Sequence, residues 1–188
     1  MNPYCVPASI NVTPLTKDVT SYGTQGHVSI PLSDIHPNFV KFLARYNLEL
    51  LLAELFYNPP RKISRIHVDA LGGDYSKINF VYGGEKSLMC WYSANPGIVK
   101  DQIDYTMINT RSVDYAPDEV TLLHRQTIHS PSIVQVGIPH NIINAAKPRW
   151  CLSLVPIDID TKKRITFQQT IEIFKDLVPP AGLEPAKF

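Results

Sequence analysis

Residues 137–155 read GIPHNIINAAKPRWCLSLV. Two apolar runs, Asn141 to Ile143 and Trp150 to Val155, flank a polar segment ending in Lys147-Pro148. Short runs separated by three to five turn residues predict two strands joined as a hairpin. Its turn is Asn144 to Pro148, and Arg149 heads the returning strand. Side chains alternate along a strand, so Arg149, Cys151 and Ser153 point to one side, and Trp150 and Leu152 to the other.

The same texture extends upstream as far as Pro60. Apolar or alternating runs at Ile63 to Val68, Lys77 to Tyr82, Leu88 to Tyr92, Val120 to His124 and Ser132 to Gly137 are punctuated by Gly72-Gly73, Gly83-Gly84, Asn95-Pro96-Gly97 and Ser130-Pro131. Such a succession predicts a mainly β sandwich or barrel. Before Pro60 the pattern differs. Phe39, Phe42, Leu43 and Tyr46 recur at helical spacing, which predicts a helix from Asn38 to Tyr46. Leu48 to Tyr57, LELLLAELFY, reads equally as a continuation of that helix or as a buried strand ended by Asn58-Pro59-Pro60. The first 35 residues read as an irregular arm or edge, with a short strand at Gly26 to Ile30. Thr166 to Leu177 reads as a helix or a last strand, stopped by Val178-Pro179-Pro180, and the tail after it reads as extended.

The chain has 188 residues, 44% of them apolar, which fits one domain with an ordinary core. We expect an arm over 1–35, a catalytic core over 36–156 and an extension over 157–188. With 18 Lys+Arg against 17 Asp+Glu there is no global attraction to nucleic acid or to an anionic membrane. Cys5, Cys90 and Cys151 are widely spaced and read as free thiols of a reducing compartment. The N-terminus lacks the pattern of a signal peptide, and the expected location is the cytoplasm, of a host cell if the protein is viral.

The sharpest local motif is Ile66-His67-Val68-Asp69. On a strand His67 and Asp69 share a face and can reach one metal ion, with Ile66 and Val68 packed behind. The plain alternative is a satisfied, half-buried histidine followed by a turn residue. His140 lies downstream, with Arg149 nine residues beyond it; a turn histidine and a surface ion pair would explain those two equally simply. Two His and one carboxylate on one face of a metal leave the opposite positions open, as in non-haem Fe(II) oxygenases. An arginine suits the far carboxylate of a chelating keto acid better than a lysine does. His124, Arg125 and His129 form a small basic cluster best read as a solvated face. His27 and His36 have no partner at ligand spacing. Arg61, Lys62 and Arg65 either guide an anionic substrate or keep an edge strand soluble.

Together ELFYNPP, IHVD, KINFVYGG, CWY and GIPHNIINAAKPRWCLSLV, over residues 38 to 156, resemble the 2-oxoglutarate and Fe(II)-dependent dioxygenases. The resemblance is closest to the small phage and marine-bacterial branch related to aspartyl/asparaginyl β-hydroxylases. It implies a double-stranded β-helix, a cupin-like jelly roll with flanking helices. It also implies iron held by His67, Asp69 and His140, and 2-oxoglutarate anchored through its C5 carboxylate by Arg149. Ser153 would assist Arg149, although the commoner pattern places a serine where this chain has Cys151. Asn79 and Trp91 are further candidates for the co-substrate pocket, with Tyr82 and Tyr92 beside them. The implied reaction hydroxylates an unactivated C–H of a protein or peptide side chain, or of a small molecule. The rival readings are a non-catalytic structural jelly roll of viral origin and a cupin metalloenzyme that does not use 2-oxoglutarate.

Overall fold

A computed structural model describes residues 4–69, 74–100, 103–105, 110–128 and 131–178. Gly72, Gly73, His129, Ser130 and the C-terminal tail from Pro179 onward lie outside the described residues. The strands are β1 (Cys5–Pro7), β2 (His27–Ile30), β3 (Leu48–Asn58), β4 (Ile66–Val68), β5 (Ser76–Gly83), β6 (Leu88–Ala94), β7 (Ile103–Tyr105), β8 (Thr110–Tyr115), β9 (Val120–Thr127), β10 (Ser132–Gln135), β11 (His140–Ile143) and β12 (Arg149–Asp158). They form two six-stranded antiparallel sheets, ordered β1-β10-β5-β12-β3-β2 and β7-β8-β4-β11-β6-β9. From β3 to β12, setting aside the β7-β8 pair, the chain passes back and forth between the sheets except at β6 and β9, which pair with each other in one sheet. This wraps β3, β12, β5 and β10 against β4, β11, β6 and β9. That order is the double-stranded β-helix, a jelly roll. The first 35 residues supply β1 and β2 as the two edges of one sheet.

Helix α1 (Pro37–Ala44) starts on His36, whose Nδ1 accepts the N–H of Asn38 at 3.1 Å, with proline at the first helical position. It does not run on into the leucine-rich segment. The chain turns at Asn47 with φ of 59°, a left-handed conformation that asparagine tolerates, and the next residues pair as β3 with β12 and β2 on either side. Helix α2 (Phe167–Ile173) is fixed by a reciprocal cap between Thr166 and Gln169. Phe39, Phe42 and Leu43 of α1 and Phe167 of α2 pack with Phe174 on the outer face of the sheet that holds β3 and β12, against Ala53, Leu55, Ile78, Phe80, Leu152 and Leu154. The other residues of those strands therefore point between the sheets: Glu54, Lys77, Asn79, Cys151 and Ser153, together with Arg149 at the start of β12.

The expected hairpin is not formed. β11 pairs with β4 and β6, and β12 pairs with β3 and β5, so the two strands lie in opposite sheets. Both edges of each strand are taken by other partners, and residues 144–148 cross between the sheets. Asn144 pins this crossing. Its buried Nδ2 donates to the carbonyls of Asn58 (3.0 Å), Pro59 (2.7 Å) and Lys147 (3.0 Å), and its Oδ1 accepts from Ser87 Oγ. Asn144→Ala leaves those groups without partners, at about 1–3 kcal/mol for a buried one. A loss of about 2 kcal/mol or more in urea-unfolding stability is the expected result, and an unchanged midpoint would remove Asn144 from this role.

Among the described residues no helix is long and apolar enough to cross a membrane. All three cysteines are buried and free.

Candidate metal centre

β4 buries Ile66 and Val68 against the protein and turns His67 the other way. His140 opens β11 directly opposite His67 on one side and Trp91 of β6 on the other. Residues directly opposite in an antiparallel pair share a face, so the two imidazoles stand together, their ring centres 4.6 Å apart. Asp69 follows β4, its N–H donating to the Val136 carbonyl at 3.2 Å. One ligand atom from each of His67, Asp69 and His140 lies within 4.8 Å of the other two.

Each histidine has its tautomer set by the backbone. His67 Nδ1 is 3.0 Å from the Arg65 carbonyl and His140 Nδ1 is 2.8 Å from that of Ile138. A carbonyl only accepts, so each Nδ1 carries the hydrogen, and Nε2 is the atom left to face Asp69. His67 Nε2 lies 3.2 Å from Asp69 Oδ1 and His140 Nε2 lies 4.0 Å from the same oxygen. Ligands about 2.1 Å from one ion and at right angles to each other are about 3 Å apart; the His67–Asp69 distance matches this and His140 stands farther out, so the three form a donor set that could hold one metal ion.

The electrostatics differ between the two rings. Burial pushes His140 down to about 4, with the neighbouring His67 adding to the effect. Burial also opposes a charge on His67, but its bond to Asp69 outweighs this and raises it. Asp69 is opposed by burial too, yet the ammonium of Lys77 and the two histidines hold it well below the usual carboxylate range.

Lys77 and Glu54 are the residues that sequence reasoning missed. Lys77 Nζ donates to Asp69 Oδ2 at 2.8 Å and to Glu54 Oε2 at 2.9 Å, and Glu54 Oε1 meets His27 Nε2 at 3.1 Å. Lys77 and Glu54 are only 4% and 3% exposed. The signal was present in two places. Lys77 shares a strand face with Asn79, and Glu54 interrupts an otherwise apolar run. His27, which has no partner at ligand spacing in the sequence, closes this chain of contacts instead.

Arg149 is 3% exposed and points between the sheets, with the Cys151 thiol as its hydrogen-bond neighbour. No carboxylate forms an ion pair with it among the described residues. Its place depends on Gly84, held at φ of +64°, where a Cβ would lie 2.5 Å from Arg149 Cβ and 2.6 Å from its Cγ. Gly84 thus covers the arginine stem, while Gly83 lies against the Pro148 carbonyl. Ser153 Oγ donates to Asn79 Oδ1 at 2.8 Å, which joins these two candidates to each other. Trp91 is fully buried beside His140; its Nε1 donates to the Gln135 carbonyl and its ring stacks with Tyr4. Tyr92 reaches the Asn141 side chain, and Tyr82 packs toward the helices. His124 lies half-buried against Trp91 and Tyr4 rather than on a solvated face. Arg65 pairs with Asp114.

No family model matches the chain, and no curated protein matches it. Among solved structures the chain is similar to a point mutant of Bacillus subtilis oxalate decarboxylase, at 12% identity and a TM-score of 0.31, over 65% of this chain and 25% of that one. It thus spans about a quarter of that protein. It is also similar to an oxalate oxidase in complex with the substrate analogue glycolate, at 11% identity and a TM-score of 0.32, over 93% of this chain and 89% of that one. A third likeness is to peruvianin-I from Thevetia peruviana latex, described as a cysteine peptidase, at 13% identity and a TM-score of 0.34 over 82% and 89%. It is the strand order, not these distant likenesses, that makes the fold a jelly roll.

Proposed function

We propose that this chain is a non-haem Fe(II) and 2-oxoglutarate-dependent oxygenase. In this reading it hydroxylates an unactivated C–H of a protein or peptide side chain, or of a small molecule, with release of succinate and CO2. The observation that carries the reading is Arg149, a guanidinium almost wholly buried in the barrel, with no carboxylate partner among the described residues. A buried cation without a counter-ion is costly to maintain, and its planar fork matches a carboxylate in bidentate fashion. A dicarboxylate that chelates a metal at one end and meets Arg149 at the other answers both requirements.

His67, Asp69 and His140 would hold the iron through Nε2, Oδ1 and Nε2, leaving the opposite positions open to co-substrate and oxygen. When bound, the iron supplies the oxygen chemistry that no side chain can. The protein's part is positional. Arg149 orients the co-substrate, Gly84 keeps the arginine stem in place, and Trp91 and Met89 help to keep that side of the interior dry. Ser153 and Asn79, already bonded to each other, line the inner wall of the sheet near Cys151.

The test is anaerobic titration of Fe(II)-loaded protein with 2-oxoglutarate, followed by measurement of succinate in air. A weak visible charge-transfer band and slow substrate-free succinate release are expected. Fe(II) uptake with neither signal would leave a metalloprotein that does not use 2-oxoglutarate, and no Fe(II) uptake would leave a jelly roll without metal chemistry.

A further inference from the structure

We propose that Lys77 is a positioning residue that holds the outer oxygen of Asp69 and so restricts this carboxylate to one bond with the metal; the inference rests on the metal reading above. The two oxygens of Asp69 have separate partners. Oδ1 faces both imidazoles, at 3.2 and 4.0 Å, while Oδ2 accepts from Lys77 Nζ at 2.8 Å. Lys77 does not swing freely. Its ammonium is held from the other side by Glu54 at 2.9 Å, Glu54 is held by His27, and the Phe56 ring lies 5.7 Å from the ammonium.

A buried pair of this kind is weak evidence for stability, since well-packed apolar side chains of similar volume often serve a fold as well or better. Its value here is geometric. A carboxylate with both oxygens free can chelate a metal through two bonds. Held at Oδ2 it offers one, so three protein ligands leave three of six positions, enough for a chelating co-substrate and oxygen together. Lys77 also places a positive charge beside a site meant for a cation, which disfavours the metal alone. Both effects give removal of Lys77 an unusual signature: the bare metal binds more tightly, and the chelating acid binds less well to the loaded protein.

The experiment uses the full chain as wild type, Glu54→Gln, and the double variant Lys77→Met with Glu54→Gln, which avoids stranding the Glu54 carboxylate. Mn2+ uptake is read from the EPR signal of the free ion, and 2-oxoglutarate binding to Mn2+-loaded protein by calorimetry. Glu54→Gln is the reference for the double variant: it keeps Lys77 on Asp69 Oδ2 and removes only the second carboxylate, so by the same charge argument it should bind Mn2+ no more tightly than wild type. Relative to Glu54→Gln, the double variant should bind Mn2+ about tenfold more tightly and 2-oxoglutarate about tenfold more weakly, the scale of effects from residues that support metal ligands. Parallel weakening of both, as lost structure would produce, overturns the proposal, and so does no change in either. A wild-type chain that takes up no Mn2+ overturns the metal reading itself and this inference with it, an outcome visible before any variant is measured.

Discussion

Replacing Arg149 by leucine is expected to lower the affinity of the metal-loaded protein for 2-oxoglutarate by about 100-fold or more, with Mn2+ uptake unchanged. Two charge-assisted hydrogen bonds at about 1.5–3 kcal/mol each are lost, and each 1.4 kcal/mol is a factor of about ten. Stability should hold or rise, because a buried cation without an ion partner among the described residues gives way to an apolar side chain. Arg149→Lys keeps the charge and loses the fork, so it should fall between the two. Calorimetry on wild type and both variants checks this. An Arg149→Leu protein that binds 2-oxoglutarate like wild type would place the co-substrate elsewhere and remove the main support for the oxygenase reading.

The second large effect is on folding. Lys77→Met alone leaves Glu54 and Asp69 as buried carboxylates that have lost their ammonium, and breaking a buried pair from one side typically costs about 3–5 kcal/mol. The variant should recover part of this loss when Glu54→Gln is added. It should recover more in saturating Mn2+, because a cation at Asp69 replaces the missing charge and binds only the folded chain. Urea unfolding with and without Mn2+ measures all three. A single variant within about 1 kcal/mol of wild type would mean that water reaches the two carboxylates.

The alternation of β12 was legible from residues 149–155, since Trp150, Leu152 and Leu154 sit on the helix side and Arg149, Cys151 and Ser153 on the inner side. The approach of His67 and Asp69 followed from their spacing on a strand, and that of His140 from its place in the motif. What could not be read was which strands pair. A five-residue link between two apolar runs suits a hairpin and a crossing between sheets equally well, and only the long-range partners β3, β5, β4 and β6 decide between them. Leu48 to Tyr57 stayed open between helix and strand for a related reason: leucine, alanine and glutamate favour helix locally, but β12, about a hundred residues later, claims the segment as strand. The Lys77–Glu54–Asp69 contacts join residues on two strands and just past a third that no spacing rule connects.

Because residues 144–148 carry the chain across the barrel instead of folding it back, the histidine pair and the arginine stand on opposite walls. Facing sheets lie about 10 Å apart, and packed side chains hold that distance fixed. Under the proposed function, the gap between the walls would gauge the length of the molecule that joins them. It would be set by the residues that fill it, such as Met89, Val134 and Val136, which carry no charge. Selectivity among acids of different chain length would then reside in the apolar filling of the barrel, where a search confined to polar residues would not look.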